Sequence, residues 1–308
     1  MKKKLFIFGV GSLTGSKLAV LAKNNFEISG SFNLRCPNLD FVKNVKLDIK
    51  NFEKVKRVLT TIHPDFIVNT CAINNVDYCE NHRKEAKLIN SDFVEDLTNV
   101  AGLLDSKLIQ LSSDSVFDGM KEFPYVEEDL PKPINFYGYT KMLSEQHALK
   151  NTNNLVVRVS VLYGWLMKSL QDKSSSSMKP ENFGLWVIKK LRTQENIKII
   201  TDEYSSPIIA DDFAKVILHL VKENYSGIYH AAPPIKISRY EFTVRIAKNL
   251  GLNYNLILPL TTKELGRKVN TGINKCLDST KISTETKFKF MTIDESLKLL
   301  KNQMLVEE

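Results

Sequence analysis

The chain has 308 residues, 43% hydrophobic and 25% charged, the composition of an ordinary globular protein with room for one large domain and a smaller one. Its formal charge of +8 suits anionic partners, but the lysines are dispersed rather than striped and no nucleic-acid-binding motif is present, so a general basic surface is the reading. The four cysteines, Cys36, Cys71, Cys79 and Cys276, form no CxxC pair and the five histidines do not join them at ligand spacing, which argues for reduced thiols and no metal.

In chain order, short apolar runs alternate with longer amphipathic stretches, the pattern of a parallel sheet covered by helices. Strands are expected at residues 4–10, 26–31, 45–48, 66–70, 108–112 and 155–159, and helices at 13–23, 52–62, 84–101 and 137–149. The apolar run near the N-terminus is interrupted by Gly9, Gly11 and Gly15 before it reaches the length of a signal peptide or membrane span. It reads as a buried strand of a cytoplasmic protein with no membrane partner. Beyond Gly164 a polar stretch, 168–180, carries four consecutive serines, Ser174 to Ser177, and reads as a mobile loop. Helices follow at 183–192, 211–221 and 239–250, with strands at 197–200 and 227–230. The expected fold is therefore α/β: a Rossmann-type doubly wound parallel sheet with a smaller C-terminal substrate-binding region. Residues 1–164 form the main part of the dinucleotide-binding domain and 165–308 mainly the substrate domain, with some segments returning to the first.

Strand, glycine turn, helix is the order that sets a pyrophosphate on a helix N-terminus, where free N–H groups and the dipole favour negative charge. Here the turn is Gly9-Val10-Gly11-Ser12-Leu13-Thr14-Gly15, with Ser12 at the middle glycine position. Alone, it also fits other α/β proteins. The second strand ends in Ser31-Phe32-Asn33-Leu34-Arg35, with no acid for ribose hydroxyls. Arg35 either pairs with a 2′-phosphate, favouring NADP(H) over NAD(H), or faces solvent. Asp48, with Ile49 after it, either meets the adenine or caps the next helix.

Tyr137 and Lys141 share a helix face at i and i+4, so the ammonium can act on the phenol and lower its pKa from about 10. Tyr137 then serves as proton donor to a carbonyl oxygen as hydride reaches the carbon. Ser113, at the end of a central strand, supplies the hydroxyl that holds that oxygen. A YxxxK spacing arises readily by chance among 10 tyrosines in a lysine-rich chain. Its place after a major strand, with Ser113 upstream and Gly138 beside it, carries the assignment.

Leu111-Ser112-Ser113-Asp114-Ser115-Val116-Phe117-Asp118-Gly119, Pro124-Tyr125-Val126-Glu127-Glu128-Asp129 and Pro133-Ile134-Asn135-Phe136-Tyr137-Gly138-Tyr139-Thr140-Lys141 resemble the dTDP-4-dehydrorhamnose reductase family of extended short-chain dehydrogenases. The likeness continues in Val76-Asp77-Tyr78-Cys79-Glu80, Ser206-Pro207 and Gly227-Ile228-Tyr229-His230 and spans essentially the whole chain. It implies reduction of the 4-keto group of a nucleotide-linked 6-deoxy sugar. Ser113, Tyr137 and Lys141 match the catalytic positions, Ser113 replacing the usual Thr. Cys71, Ala72 and Ile73 would line the cofactor and Lys141 would bond its ribose. Asp114, Ser115, Phe117, Trp165 and Asn182 fall on the substrate side, and a homodimer is one option for assembly. Two departures concern the sugar: Ser115 stands where the family commonly has Tyr, and Thr271-Gly272 where an Arg-Pro pair usually appears.

A dehydratase of the same superfamily typically carries adjacent Asp and Glu after the hydroxyl, whereas this chain has Asp114 then Ser115; an epimerase is less favoured by the motif set. The competing reading is regulatory, because the chain also resembles the NADP-binding beta subunit of methionine adenosyltransferase. The complete Ser113, Tyr137 and Lys141 set favours the enzyme. His230 reads as a satisfied core histidine, and Trp165 suits core packing at least as well as the sugar.

Overall fold

The computed structural model describes residues 2–171, 181–266 and 269–307. Seven parallel strands form the main sheet: β1 Lys3–Phe8, β2 Phe26–Phe32, β3 Val42–Lys46, β4 Phe66–Asn69, β5 Lys107–Ser113, β6 Leu155–Val159 and β7 Gly227–Ala231. Their order is β7-β6-β5-β4-β1-β2-β3, so the chain reverses direction between β1 and β4, where a doubly wound sheet opens a crevice at its carboxyl edge. The expected fold class is borne out. Strand β1 is apolar on both faces because both faces are covered: Leu5 and Ile7 pack with Leu18, Phe213 and Ile217, while Phe6 and Phe8 meet Val55, Leu59, Phe93 and Leu97.

Later segments of the chain return to this sheet. Strand β7 pairs with β6, and helix Ala210–Lys222 packs against helix Leu13–Ala22. A second core gathers Tyr163, Val187, Ile188, Leu191, Phe242, Ile246 and Leu297, with the parallel pair Ile197–Ile200 and Ile257–Leu260 beside it. Helix Ile293–Glu307 belongs there; it is absent from the expected elements although Ile293, Leu297, Leu300 and Met304 follow helical spacing and are buried.

Three of the expected segments differ in place or kind. Strand β3 lies earlier than 45–48 because pairing with β2 sets its register, from Ile28 against Val42 to Phe32 against Lys46. The single helix expected at 84–101 is interrupted: Arg83–Lys87 and Phe93–Leu103 flank a π-helical turn, Leu88–Asp92. That turn aims Asn90 inward, where tertiary bonds offset the lost regular ladder. Lys168–Gln171, expected as loop, forms one helical turn, while the remainder of that polar stretch, with Ser174 to Ser177, lies outside the described residues.

Candidate active site

The glycine turn leaves β1 at the sheet's reversal point. Ser12 caps helix Leu13–Ala22 by accepting from the Gly15 N–H at 2.9 Å, and its hydroxyl lies 3.0 Å from Thr70 Oγ1 at the end of β4. This explains why a serine suits the middle position. A Cβ on Gly15 would sit 2.3 Å from the Gly9 carbonyl oxygen, so only glycine lets the helix approach the strand this closely. The resulting cradle of N–H groups at a helix N-terminus fits a pyrophosphate.

Around the cradle, Ser31 is buried and its carbonyl accepts from the Val10 N–H at 2.9 Å; Asn33 is exposed and Arg35 half-buried beyond β2. The Arg35 carbonyl lies against Gly11, where a Cβ would come within 2.0 Å, so the Arg35 loop packs directly on the turn. Asp48 is exposed and accepts from the Lys50 N–H at 3.0 Å. Helix Phe52–Ile62 is capped by Asn51 instead, which corrects the reading of Asp48 as its cap. Ile49 is half-buried against the core that holds Phe52 and Phe93. Cys71, Ala72 and Ile73 follow β4, and burial pushes the Cys71 thiol up to about 12, so it is a neutral wall. Asn90 clamps Ile73 at both ends, accepting from its N–H at 2.8 Å and donating to its carbonyl at 3.0 Å. Its Nδ2 also lies 3.1 Å from Thr140 Oγ1 on the helix that carries Tyr137.

That helix, Phe136–Ala148, is capped by Asn135, which accepts from the Gly138 N–H at 2.9 Å. Glu80 Oε1 accepts from the Phe136 N–H at 2.6 Å. Gly138 has no Cβ to meet the Ser115 carbonyl oxygen, which would otherwise lie 1.9 Å away. The turn Asp114–Val116 can therefore lie on the helix, which sets Ser113, at the end of β5, next to the Tyr137 phenol. Burial raises the phenol's pKa above its ordinary value, and the Ser113 contact opposes this only in part. Lys141 does not lower it as i,i+4 spacing suggests: its Nζ donates to the Leu111 carbonyl at 2.5 Å. With 3% of its surface exposed, Lys141 is itself held down to about 8 by desolvation. Ser113 and Tyr137 are thus brought together, and Lys141 is anchored one turn further on the same helix.

On the expected substrate side, Asp114 and Ser115 sit beside Ser113, the Ser115 hydroxyl 3.2 Å from Asp114 Oδ1. Phe117 is 3% exposed, stacked 4.2 Å from Tyr125 with the Arg158 guanidinium 5.0 Å from its ring centre, so its ring is spent on packing rather than facing a ligand. Trp165 is half-buried on the second core. Asn182 caps helix Phe183–Arg192, accepting from the Leu185 N–H at 3.2 Å, and donates to the Gly164 carbonyl at 2.8 Å, which leaves its amide engaged within the protein. The Thr271-Gly272 departure lies against Gly119, and the Asn270 carbonyl accepts from Asn135 at 3.1 Å. His230 is a satisfied core histidine: Nδ1 lies 3.0 Å from the Asp278 carbonyl and Nε2 3.3 Å from Arg158 Nη1.

Asn90, Glu80 and Asn135 support the site and are not among the sequence-based candidates. Asn135 had a visible signal, an Asn directly before the helix that carries Tyr137. Glu80 closes the Val76–Glu80 segment of the family likeness, which gave it no role, and Asn90 acts across the fold and carries no local signal.

A glycine turn on a helix N-terminus at the reversal of a seven-stranded parallel sheet, with a serine, tyrosine and lysine at the adjoining strand and helix, defines a Rossmann-type protein of the extended short-chain dehydrogenase/reductase class. The chain belongs to the RmlD substrate binding domain family, which it matches over residues 3–306. It is 28% identical over 298 residues to the probable low-salt glycan biosynthesis reductase Agl14 of Haloferax volcanii, covering 96% of each chain. It is also 30% identical over 233 residues to methionine adenosyltransferase 2 subunit beta of Xenopus tropicalis, covering 71% of this chain and 65% of that one. The crystal structure of dTDP-4-dehydrorhamnose reductase from Bacillus anthracis in complex with NADP matches with a TM-score of 0.84 at 25% identity, over 97% of this chain and 99% of that chain.

Among the described residues, no helix is long and apolar enough to cross a membrane.

Proposed function

We propose that this chain reduces the 4-keto group of a nucleotide-linked 6-deoxy sugar, preferring NADPH, as a step in cytoplasmic deoxysugar synthesis for surface polysaccharide. The observation that carries the reading is the Tyr137 phenol, its pKa raised by desolvation, next to Ser113 at the edge of the sheet where the glycine cradle opens. The nicotinamide cofactor supplies the hydride when bound. Gly9, Gly11, Ser12, Leu13 and Gly15 hold its pyrophosphate, with Ser31, Asn33 and Arg35 at the adenosine ribose and 2′-phosphate and Asp48 and Ile49 at the adenine. Cys71, Ala72 and Ile73 form the wall, and Lys141 holds ribose hydroxyls. Ser113 orients the sugar carbonyl, and Tyr137 gives its proton to the carbonyl oxygen. Asp114, Ser115 and Trp165 border the sugar, within a substrate region built mainly from residues 165–308.

The test is NADPH oxidation with a panel of dTDP-, GDP-, UDP- and CDP-linked 4-keto-6-deoxy sugars. Turnover names the substrate class. Tight NADPH binding without turnover on any of them moves the reading to a regulatory subunit, the alternative favoured by the likeness to the methionine adenosyltransferase beta subunit.

The pH dependence separates two groups. Lys141 is held down to about 8, so its ammonium is lost as pH rises through that value. NADPH affinity is expected to fall above pH about 8, with no second loss there from Tyr137, whose pKa is shifted upward. The Lys141→Arg variant should bind NADPH with no such dependence, because guanidinium stays charged. A wild-type affinity that is flat to pH about 10, an ordinary lysine's range, would remove Lys141 from the cofactor site.

A further inference from the structure

The Ser160 hydroxyl oxygen lies 2.8 Å from Asp114 Oδ2 and 3.0 Å from the Lys275 carbonyl oxygen. A serine hydroxyl has one proton to donate, and a carbonyl oxygen has none. Both contacts can be separate two-centre hydrogen bonds, rather than one proton shared between two acceptors, only if the second proton comes from Asp114. The Ser206 N–H, 3.4 Å from the same oxygen, fills the remaining acceptor position. Asp114 Oδ1 meanwhile lies 2.9 Å from the Ser113 hydroxyl and 3.2 Å from that of Ser115, the acceptor load of a C=O oxygen.

We infer that Asp114 is a positioning residue that stands beside the active site as a neutral carboxylic acid, its proton on Ser160 and its other oxygen holding the Ser113 hydroxyl. The surroundings agree. Asp114 is 6% exposed, and desolvation raises its pKa above the ordinary carboxylate value, outweighing the Lys275 charge and the Ser160, Ser113 and Ser115 hydroxyls, which lower it. The titratable groups facing it are Lys275 and Cys276 from the C-terminal segment and Tyr137 from the helix. Lys275, the cation among them, points its ammonium at Glu203, 3.2 Å away.

The consequence for turnover rests on the reductase reading; the protonation does not. Negative charge grows on the substrate oxygen as hydride arrives, and a carboxylate bonded to Ser113 would oppose it. It would also hold the Ser113 proton through a charge-assisted bond, roughly twice as strong as a neutral one. A neutral Asp114 releases that proton toward the substrate more readily and adds no like charge.

The experiment is infrared difference spectroscopy in heavy water at pH about 7, well above the ordinary aspartate range. Wild type minus Asp114→Asn should contain a protonated-carboxyl C=O band. Glu127 and Asp212, also raised by burial, are common to both proteins and cancel. The Ser160→Ala variant should shift the same band, because the acid proton loses its acceptor. If Asp114→Asn does not fold, the wild type minus Ser160→Ala spectrum decides: a shifted protonated-carboxyl band supports the inference, and changes confined to carboxylate bands overturn it. For the positioning role, kcat of Asp114→Asn, which supplies a neutral acceptor and donor, should exceed that of Asp114→Ala by about tenfold. Equal values would remove that role. Failure of the whole sugar panel would leave the infrared result standing, so loss of the reductase reading and loss of this inference are distinguishable.

Discussion

The Tyr137→Phe variant is expected to lose about 10²–10⁴-fold in kcat, the range for removing a positioned general acid, while NADPH still binds. Phe keeps the ring and its packing on the helix and deletes one oxygen, the one next to Ser113. The expectation follows from protonation state as much as position. Burial raises the phenol pKa, so the group begins each turnover as the acid that ketone reduction requires. Steady-state rates and an NADPH titration on the same preparation check both halves. Near-normal kcat in Tyr137→Phe would mean that another group delivers the proton.

Breaking the buried Arg158–Glu145 pair should have the largest effect on stability. Arg158 Nη2 lies 2.7 Å and Nε 2.9 Å from the two carboxylate oxygens of Glu145, and the Ser112 hydroxyl reaches the same carboxylate at 2.5 Å. The two side chains are 1% and 3% exposed, so water screens neither. Replacing Arg158 by Met leaves Glu145 buried without its cation and should cost about 3–5 kcal/mol, visible as a lower urea midpoint. The double variant Arg158→Met/Glu145→Leu should recover part of that loss, because the buried carboxylate is gone, the remainder reflecting the Lys141 ammonium that loses Glu145 as its nearby counter-charge. The pair also ties β6 to the helix of Tyr137 and Lys141, so weakening it loosens the site from behind. An Arg158→Met midpoint equal to wild type would show that water or rearrangement relieves the Glu145 charge.

Much of this protein was legible from local pattern. Apolar runs with both faces buried mark β1, β4 and β5, because helices cover the sheet on each side. Glycines from Gly9 to Gly15, Ser113 at a strand end and the Tyr137–Lys141 spacing each reflect a steric or chemical demand carried by a few neighbouring residues. Register and support were not legible in that way. The start of β3 depends on where β2 offers hydrogen bonds, and the π-helical turn at Leu88–Asp92 brings Asn90 to Ile73 and Thr140, partners 17 and 50 residues away. Spacing placed Lys141 on the face of Tyr137, but the Leu111 carbonyl claims its ammonium and burial raises the phenol's pKa. Phe117 sits in a motif that suggests substrate, yet packing on Tyr125 occupies its ring, and Asn182 also serves as a helix cap.

Strand–turn–helix order, sheet class and the residue types of the site follow from local pattern along the chain. Which hydroxyl meets which carboxylate, and which charges are desolvated, emerges with packing, because those energies depend on distance and burial between segments far apart in the chain.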